Sequence, residues 1–110
     1  METTAEELFE LAAGGMAIVG LDGRWLKVNR SLCAMLGYTH QEMLETDFQG
    51  ITHPDDMDTS LEHARRAFDE NVKTINFEKR YIHKAGHAIW VDLNIAVVRD
   101  NQNKPSYFIT

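Results

Sequence analysis

Cysteine, proline and basic charge are all scarce in this chain. One cysteine, Cys33, excludes an internal disulfide and fits a reducing compartment. Two prolines, Pro54 and Pro105, are the sole residues that fix the backbone torsion covalently. Eleven lysines and arginines face 17 aspartates and glutamates, a formal net charge of −6. That balance argues against a nucleic-acid partner, which needs a basic face. No run of about eighteen apolar residues occurs, so this segment is expected neither to span nor to contact a membrane. The N-terminus is acidic and amphipathic rather than leader-like, and a cytoplasmic location is expected.

What is present suits one α+β domain of 110 residues. Residues 4–13 read as an amphipathic helix, with Thr3…Glu6 and Thr4…Glu7 as alternative capping boxes and Gly14-Gly15 as its stop. Residues 16–21 and 24–29 read as strands joined by Asp22-Gly23, the dipeptide preferred in a two-residue type I′ hairpin. Asn29 is placed to cap a short helix over 30–36, which Gly37 ends in the left-handed conformation. Thr39…Glu42 is a further capping box, opening a helix through Leu44, and residues 47–51 form one more turn. Pro54 suits a first helical turn, with Asp55 and Asp56 near the positive end of the longest helix, expected over 55–69. There Met57, Leu61, Ala64 and Phe68 fall on one narrow stripe.

Period-two patterning then returns. Ile75, Phe77 and Tyr81 alternate with polar residues over 74–83, and Ile89, Val91, Leu93, Ile95 and Val97 do so over 88–99. Lys84-Ala85-Gly86 and the polar stretch 100–105 are turns, and 106–110 begins a last strand. Two strands, a helical middle and three strands predict an antiparallel sheet with helices on one face.

No catalytic constellation is visible. Ser31, Ser60 and Ser106 lack elbow glycines, and no Lys-Ser/Thr pair follows Gly14-Gly15 or Gly20. Glu6-Glu7 and Asp55-Asp56 are explained by helix N-termini. His40 and His53 read as helix-start and loop residues. His83 and His87 flank a turn and lack a third ligand, so no metal site is expected.

The order of these signals resembles a PAS domain, the sensory module of bacterial signalling proteins. The resemblance rests on Asp22-Gly23-Arg24-Trp25, the block from Asn29 to Tyr38, His53-Pro54-Asp55-Asp56, Lys84-Ala85-Gly86 with Trp90, and Val98-Arg99-Asp100, all in register. It implies a PAS fold: five strands in order 2-1-5-4-3, short helices and one longer helix over one face, and an N-terminal amphipathic helix. It divides the chain into a helix over 1–13 and a PAS domain over 14–110, whose final strand is shorter than the pattern. The stretches 23–29, 77–81 and 105–109 are similar to PAS domains found ahead of bacterial diguanylate cyclases and cyclic-di-GMP phosphodiesterases, with sensor histidine kinases next. The implied role is regulatory, not enzymatic: a domain that dimerises and controls an output domain of the same parent chain.

In this fold the long helix and the sheet enclose a cavity. Met57, Leu61, Phe68, Ile75, Phe77, Trp90, Leu93 and Ile95 are expected near its wall, with Trp90 against the strand parity. These side chains either leave room for a small apolar ligand or simply fill the space as core. The cofactor is therefore unknown, and none is required. Haem-binding relatives would use His63, but it lies roughly 130° from the apolar stripe and is expected to face solvent or an edge. Flavin photochemistry would need a cysteine near residues 46–49, where there is none; Cys33 reads as a buried thiol. Leu8, Phe9, Leu11 and Ala12 form an apolar stripe expected to pack against a second copy; the alternative is that the helix folds back on its own sheet.

Overall fold

The computed structural model describes residues 2–69 and 71–110. The elements are α1 (Ala5–Leu11), β1 (Ala17–Val19), β2 (Trp25–Val28), α2 (Arg30–Leu36), α3 (His40–Leu44), α4 (Phe48–Ile51), a 3-10 turn (Pro54–Asp56), α5 (Met57–Arg66), β3 (Ile75–Ile82), β4 (Ala88–Arg99) and β5 (Pro105–Ile109). The sheet runs β2-β1-β5-β4-β3 and every pairing is antiparallel, the order the resemblance implies. Pairing of β5 with β1 continues to Thr110, whose N–H and C=O both bond Ala17.

Local chemistry starts the helices where the sequence places them. Thr4 with Glu7, and Thr39 with Glu42, form reciprocal capping boxes. Asp47 caps α4 through Gly50 N–H. Gly37 closes α2 at φ 82°, where an added Cβ would meet the His83 ring at 2.3 Å. Asn29 does more than cap α2. It is fully buried, and its Oδ1 accepts from Met16 N–H at 2.9 Å and Leu32 N–H at 3.0 Å. Its Nδ2 donates to the carbonyls of Phe9 at 2.9 Å and Gly14 at 3.0 Å. One amide, fully satisfied, thus joins the end of α1, the start of β1 and the start of α2.

The core lies between one face of the sheet and the helices. Ala17, Val19, Trp25, Val28, Ile75, Tyr81, Ile95 and Phe108 from the strands meet Leu32, Leu36, Met43, Ile51 and Ala67. Strand β3 is a sheet edge, and its exposed ladder groups are covered by the segment before α5. Thr52 bridges Tyr81, and His53 N–H donates to Arg80 C=O at 2.9 Å. The Asp56 carboxylate accepts from Arg80 N–H at 2.7 Å, Nε at 3.0 Å and Nη2 at 2.9 Å.

Two local expectations are corrected. The β1–β2 turn is not type I′, because that turn needs positive φ at both central residues and among the described residues here only Gly23, at 96°, has it. Gly23 N–H bonds Gly20 C=O and Gly20 N–H bonds Arg24 C=O, giving a three-residue loop closed by a left-handed glycine. The long helix is also shorter than expected. It starts at Met57 after the 3-10 turn and ends at Arg66, where Ala67 caps it.

Gly23 has a second reason to be glycine: a Cβ there would lie 2.2 Å from the Gln49 Oε1. Gly23→Val is expected to destabilise the chain by about 1 kcal/mol or more, read as a lower urea midpoint. An unchanged midpoint would show that the loop relaxes to another turn.

Candidate functional site

Strand β3 carries the site. Its side chains alternate, and the ladder with β4 pairs Ile75 with Ile95, Phe77 with Leu93, Lys79 with Val91 and Tyr81 with Ile89. Residue 79 therefore points to the same face as Phe77 and Tyr81, under α5. Lys79 is 2% exposed. Its Nζ donates to Ser60 Oγ at 2.7 Å and Thr52 Oγ1 at 3.2 Å. It also lies 4.5 Å from the centroid of the Tyr81 ring and 4.8 Å from that of Phe48.

No carboxylate forms an ion pair with this ammonium among the described residues. Burial pushes its pKa down to about 8, opposed by the more distant charge of Asp56. At neutral pH the group still holds its proton, so a charge sits in the core on two hydroxyls and two ring faces. Burial likewise pushes the Tyr81 hydroxyl above its ordinary value. Asp56 is held down to about 2 by the hydrogen bonds from Arg80. Its contribution to stability is present above the ordinary carboxylate value and lost as pH falls through about 2.

Lys79 borders a cavity of about 30 Å³ between α5 and the sheet, walled by Val19, Trp25, Phe48, Ser60, Ala64, Phe77, Tyr81, Leu93, Ile95, Phe108 and Thr110. Trp25 is 2% exposed, and its Nε1 is buried with no hydrogen-bond partner among the described residues. Of the residues expected at the wall, Phe77, Leu93 and Ile95 line this space. Ile75 is in the core beside it and Met57 is half-buried at the start of α5; neither lines it.

Leu61, Phe68 and Trp90 are corrected. Leu61 is 43% exposed because α5 is turned by roughly 80° from its apolar stripe, so that Ser60, His63, Ala64 and Ala67 face the sheet. Ser60 bonds Lys79 from that turned face. Phe68 lies beyond the end of α5, off its helical face, and packs on Phe108 with ring centroids 5.6 Å apart. Trp90 follows its strand parity to the outer face, where it is 64% exposed and the Arg80 guanidinium sits 5.0 Å from its ring centroid.

Of the two places expected for His63, solvent or an edge, the half-buried ring takes the edge, against strand β3. Its ring stacks on Phe77 at 4.0 Å, and burial lowers its pKa. These residues do not fit a haem: His63 is not in the cavity wall, and the space is an order of magnitude below the roughly 300–1,000 Å³ of ordinary ligand pockets. His83 and His87 do face one another, stacked at 4.4 Å, with His83 Nδ1 accepting from Ala85 N–H. No group of three metal-ligating side chains forms among the described residues. Cys33 is half-buried on α2 and does not line the cavity.

Helix α1 meets its own domain at the β2–α2 junction. It docks on its own domain through the Asn29 bonds, Ser31 Oγ to Ala12 C=O at 2.6 Å, and Phe9 under the Lys27 ammonium at 4.8 Å. Leu8 and Leu11 remain 63% and 68% exposed. No helix among the described residues is long and apolar enough to cross a membrane.

Lys79, Trp25, Ser60 and Thr52 were absent from the residues expected at the site. Strand parity carried a signal for Lys79, since position 79 lies between Phe77 and Tyr81 on the apolar face.

Known proteins resemble this chain at three levels. A family profile described as PAS fold matches residues 26–110. The probable diguanylate cyclase DgcE of Escherichia coli (strain K12) is 36% identical over 98% of this chain and 10% of its own length. The sensor histidine kinase TmoS of Ectopseudomonas mendocina is 18% identical over 98% of this chain and 11% of its own length. The chain thus spans about a tenth of these relatives. Among solved structures, a PAS domain from Colwellia psychrerythraea superposes with a TM-score of 0.86 at 15% identity, covering 94% of this chain and 87% of that one. A domain of a sensory box sensor histidine kinase/response regulator from Geobacter sulfurreducens gives 0.76 at 22% identity, covering 94% and 85%. Both show the fold alone.

The buried ammonium has a measurable consequence. Its native pKa, about 8, lies below the ordinary lysine value of 10.5, so the unfolded chain binds more protons between those two values and stability rises with pH across that window. Urea unfolding of the native chain minus that of Lys79→Met should reveal a gain of up to about 3 kcal/mol from pH 7 to pH 10.5. Taking this difference removes the titrations of Tyr81 and the exposed lysines. A flat difference would mean the ammonium is solvated.

Proposed function

Because this chain belongs to the PAS-fold family, we propose that it is the sensory domain of a larger signalling protein, regulating an attached cyclic-di-GMP cyclase, phosphodiesterase or histidine kinase. The input site in this reading is the cavity under α5. One observation carries it: an ammonium with no ion-pair partner among the described residues joins β3 to α5 through Ser60 at the cavity wall. A buried charge held by neutral groups is a costly arrangement. Any occupant that interacts differently with it shifts the balance between two positions of α5, and differential affinity is the whole of such a signal.

The small volume argues for a small occupant. It also supports a second reading, a cofactor-free module that relays a change at an interface between copies. The exposure of Leu8 and Leu11 favours such an interface, with Phe9 and Ala12 seating α1 on its own domain. The two readings are compatible, since α1 would carry the change outward to a partner copy and then to the output domain.

In the full parent protein, Lys79→Met is expected to change output activity at least severalfold while the output domain itself is untouched. Unchanged output would overturn the sensory reading. For the interface, Leu8→Glu with Leu11→Glu is expected to convert a dimer to a monomer in sedimentation velocity, with the circular dichroism spectrum preserved. An unaltered sedimentation coefficient would remove α1 from the interface.

A further inference from the structure

The sheet-facing side of α5 carries a titratable ring at the β3 edge. The His63 ring lies nearly parallel to that of Phe77 on β3, with centroids 4.0 Å apart and planes 14° apart. Its Nδ1 is buried with no hydrogen-bond partner among the described residues. A neutral imidazole has one N–H and one bare nitrogen. The proton belongs on Nε2, because at Nδ1 it would point at no acceptor. The docked ring is therefore neutral, with its bare nitrogen enclosed. Phe77 also borders the cavity, two residues before Lys79 on the same face of β3.

Protonation adds an N–H at Nδ1 and a positive charge to the ring. The new donor is enclosed without an acceptor, which disfavours docking by about five- to a hundredfold. The Phe77 face attracts a cation, which favours docking by only about two- to fivefold. Nearby charges do not reverse that order. On α5, Arg66 repels an imidazolium, and Glu62, which attracts it, is already bonded to Arg65. On β3, the charged residue that shares a face with Phe77 is Lys79, also positive. On β4, the residues paired along that face are Val91, Leu93 and Ile95, all apolar. Burial first, and then Arg66, hold the pKa of the docked ring below its ordinary 6.5.

We propose that His63 is a proton-binding input: the neutral ring docks on Phe77 and holds α5 against β3, and the protonated ring leaves and frees α5 beyond Ser60. This rests on the reading of the domain as a sensor whose signal is the position of α5. The start of the helix stays pinned by Asp56 with Arg80 and by Ser60 with Lys79, so the released part runs from His63 to Ala67. Lys79, at about 8, keeps its proton wherever His63 titrates. The proton meets the requirement for any input, a differential affinity for two positions. Each unit by which docking lowers the ring's pKa shifts the ratio of docked to released helix tenfold at pH below both values.

The test compares the native chain with His63→Phe, which keeps a ring on Phe77 and cannot titrate, from about pH 8 to about pH 5. The His63 ring resonances are expected to titrate with a midpoint below 6.5, and the Phe77 ring and the Ala64 and Ala67 amides to move at the same midpoint. The unfolded chain then binds the proton more readily than the folded one. The urea midpoint of the native chain relative to His63→Phe therefore falls as pH drops through this window. In the full parent protein, the ratio of native output to His63→Phe output is expected to change at least severalfold across the same window. Taking the ratio cancels His40, His53, His83, His87 and the output domain itself. His63→Gln, neutral and polar, is expected to lack the same pH response, and it replaces His63→Phe if that variant does not fold.

A His63 midpoint at or above 6.5, or a Phe77 ring that stays still while His63 titrates, would mean that protonation does not release the ring and would overturn the proposal. A low midpoint with a flat output ratio would overturn it as an input; the sensory reading then stands or falls on whether Lys79→Met alters output in the parent protein.

Discussion

The energetics of this domain turn on one ammonium group. Moving a lysine charge out of water costs several kcal/mol unless other groups replace its hydration. Here the replacements are two hydroxyls and two aromatic faces. Their positions are demanding. Ser60 must face the sheet, so α5 is rotated away from its own apolar stripe and Leu61 is left in solvent. Thr52 must lie beside β3, so the segment before α5 runs along the open edge of that strand. The cavity persists beside Lys79 because the turned helix presents Ser60 and Ala64 there, smaller side chains than Leu61.

Around that site the frame is held by fully paired polar groups. Asn29 uses all of its amide to fix three chain segments at one point. Asp56 and Arg80 clamp the start of α5 to β3 through three hydrogen bonds, and Arg80 then covers Trp90 on the outer face. This clamp and the Lys79–Ser60 contact meet the same two elements from opposite faces of β3. Any change felt by the ammonium therefore acts on a helix whose N-terminal end is pinned, which favours a pivot over a free translation.

Helix α1 and the cavity lie in different parts of this frame. Helix α1 is tied by Asn29 and Ser31 to the β2–α2 junction, with Leu8 and Leu11 outward, whereas the cavity opens among α5, β3, β4 and β5. Strand β1 is the bridge. Val19 borders the cavity, and Ala17, two residues earlier, pairs with the strand that starts α2. The path from cavity to α1 is thus short, along the central strands of one sheet.

The sequence by itself determined the elements and most of their ends, because those depend on groups within a few residues of each other. Thr39 with Glu42, Asn29 with Leu32 and Gly37 after Leu36 act locally, and periodicity two marks β3 and β4. The family resemblance supplied the strand order. Only the tertiary structure decided the rotation of α5, the exposure of Leu61 and Phe68, the three-residue loop at Gly23 and the placing of Lys79 and Trp25 on one cavity wall. The reason is physical. A helical stripe ranks apolar faces by area, but a buried charge outweighs one leucine, and the hydroxyl it selects is 19 residues away in sequence. Lys79 and Trp25 lie on different strands, and nothing between them in the chain records that they share a wall.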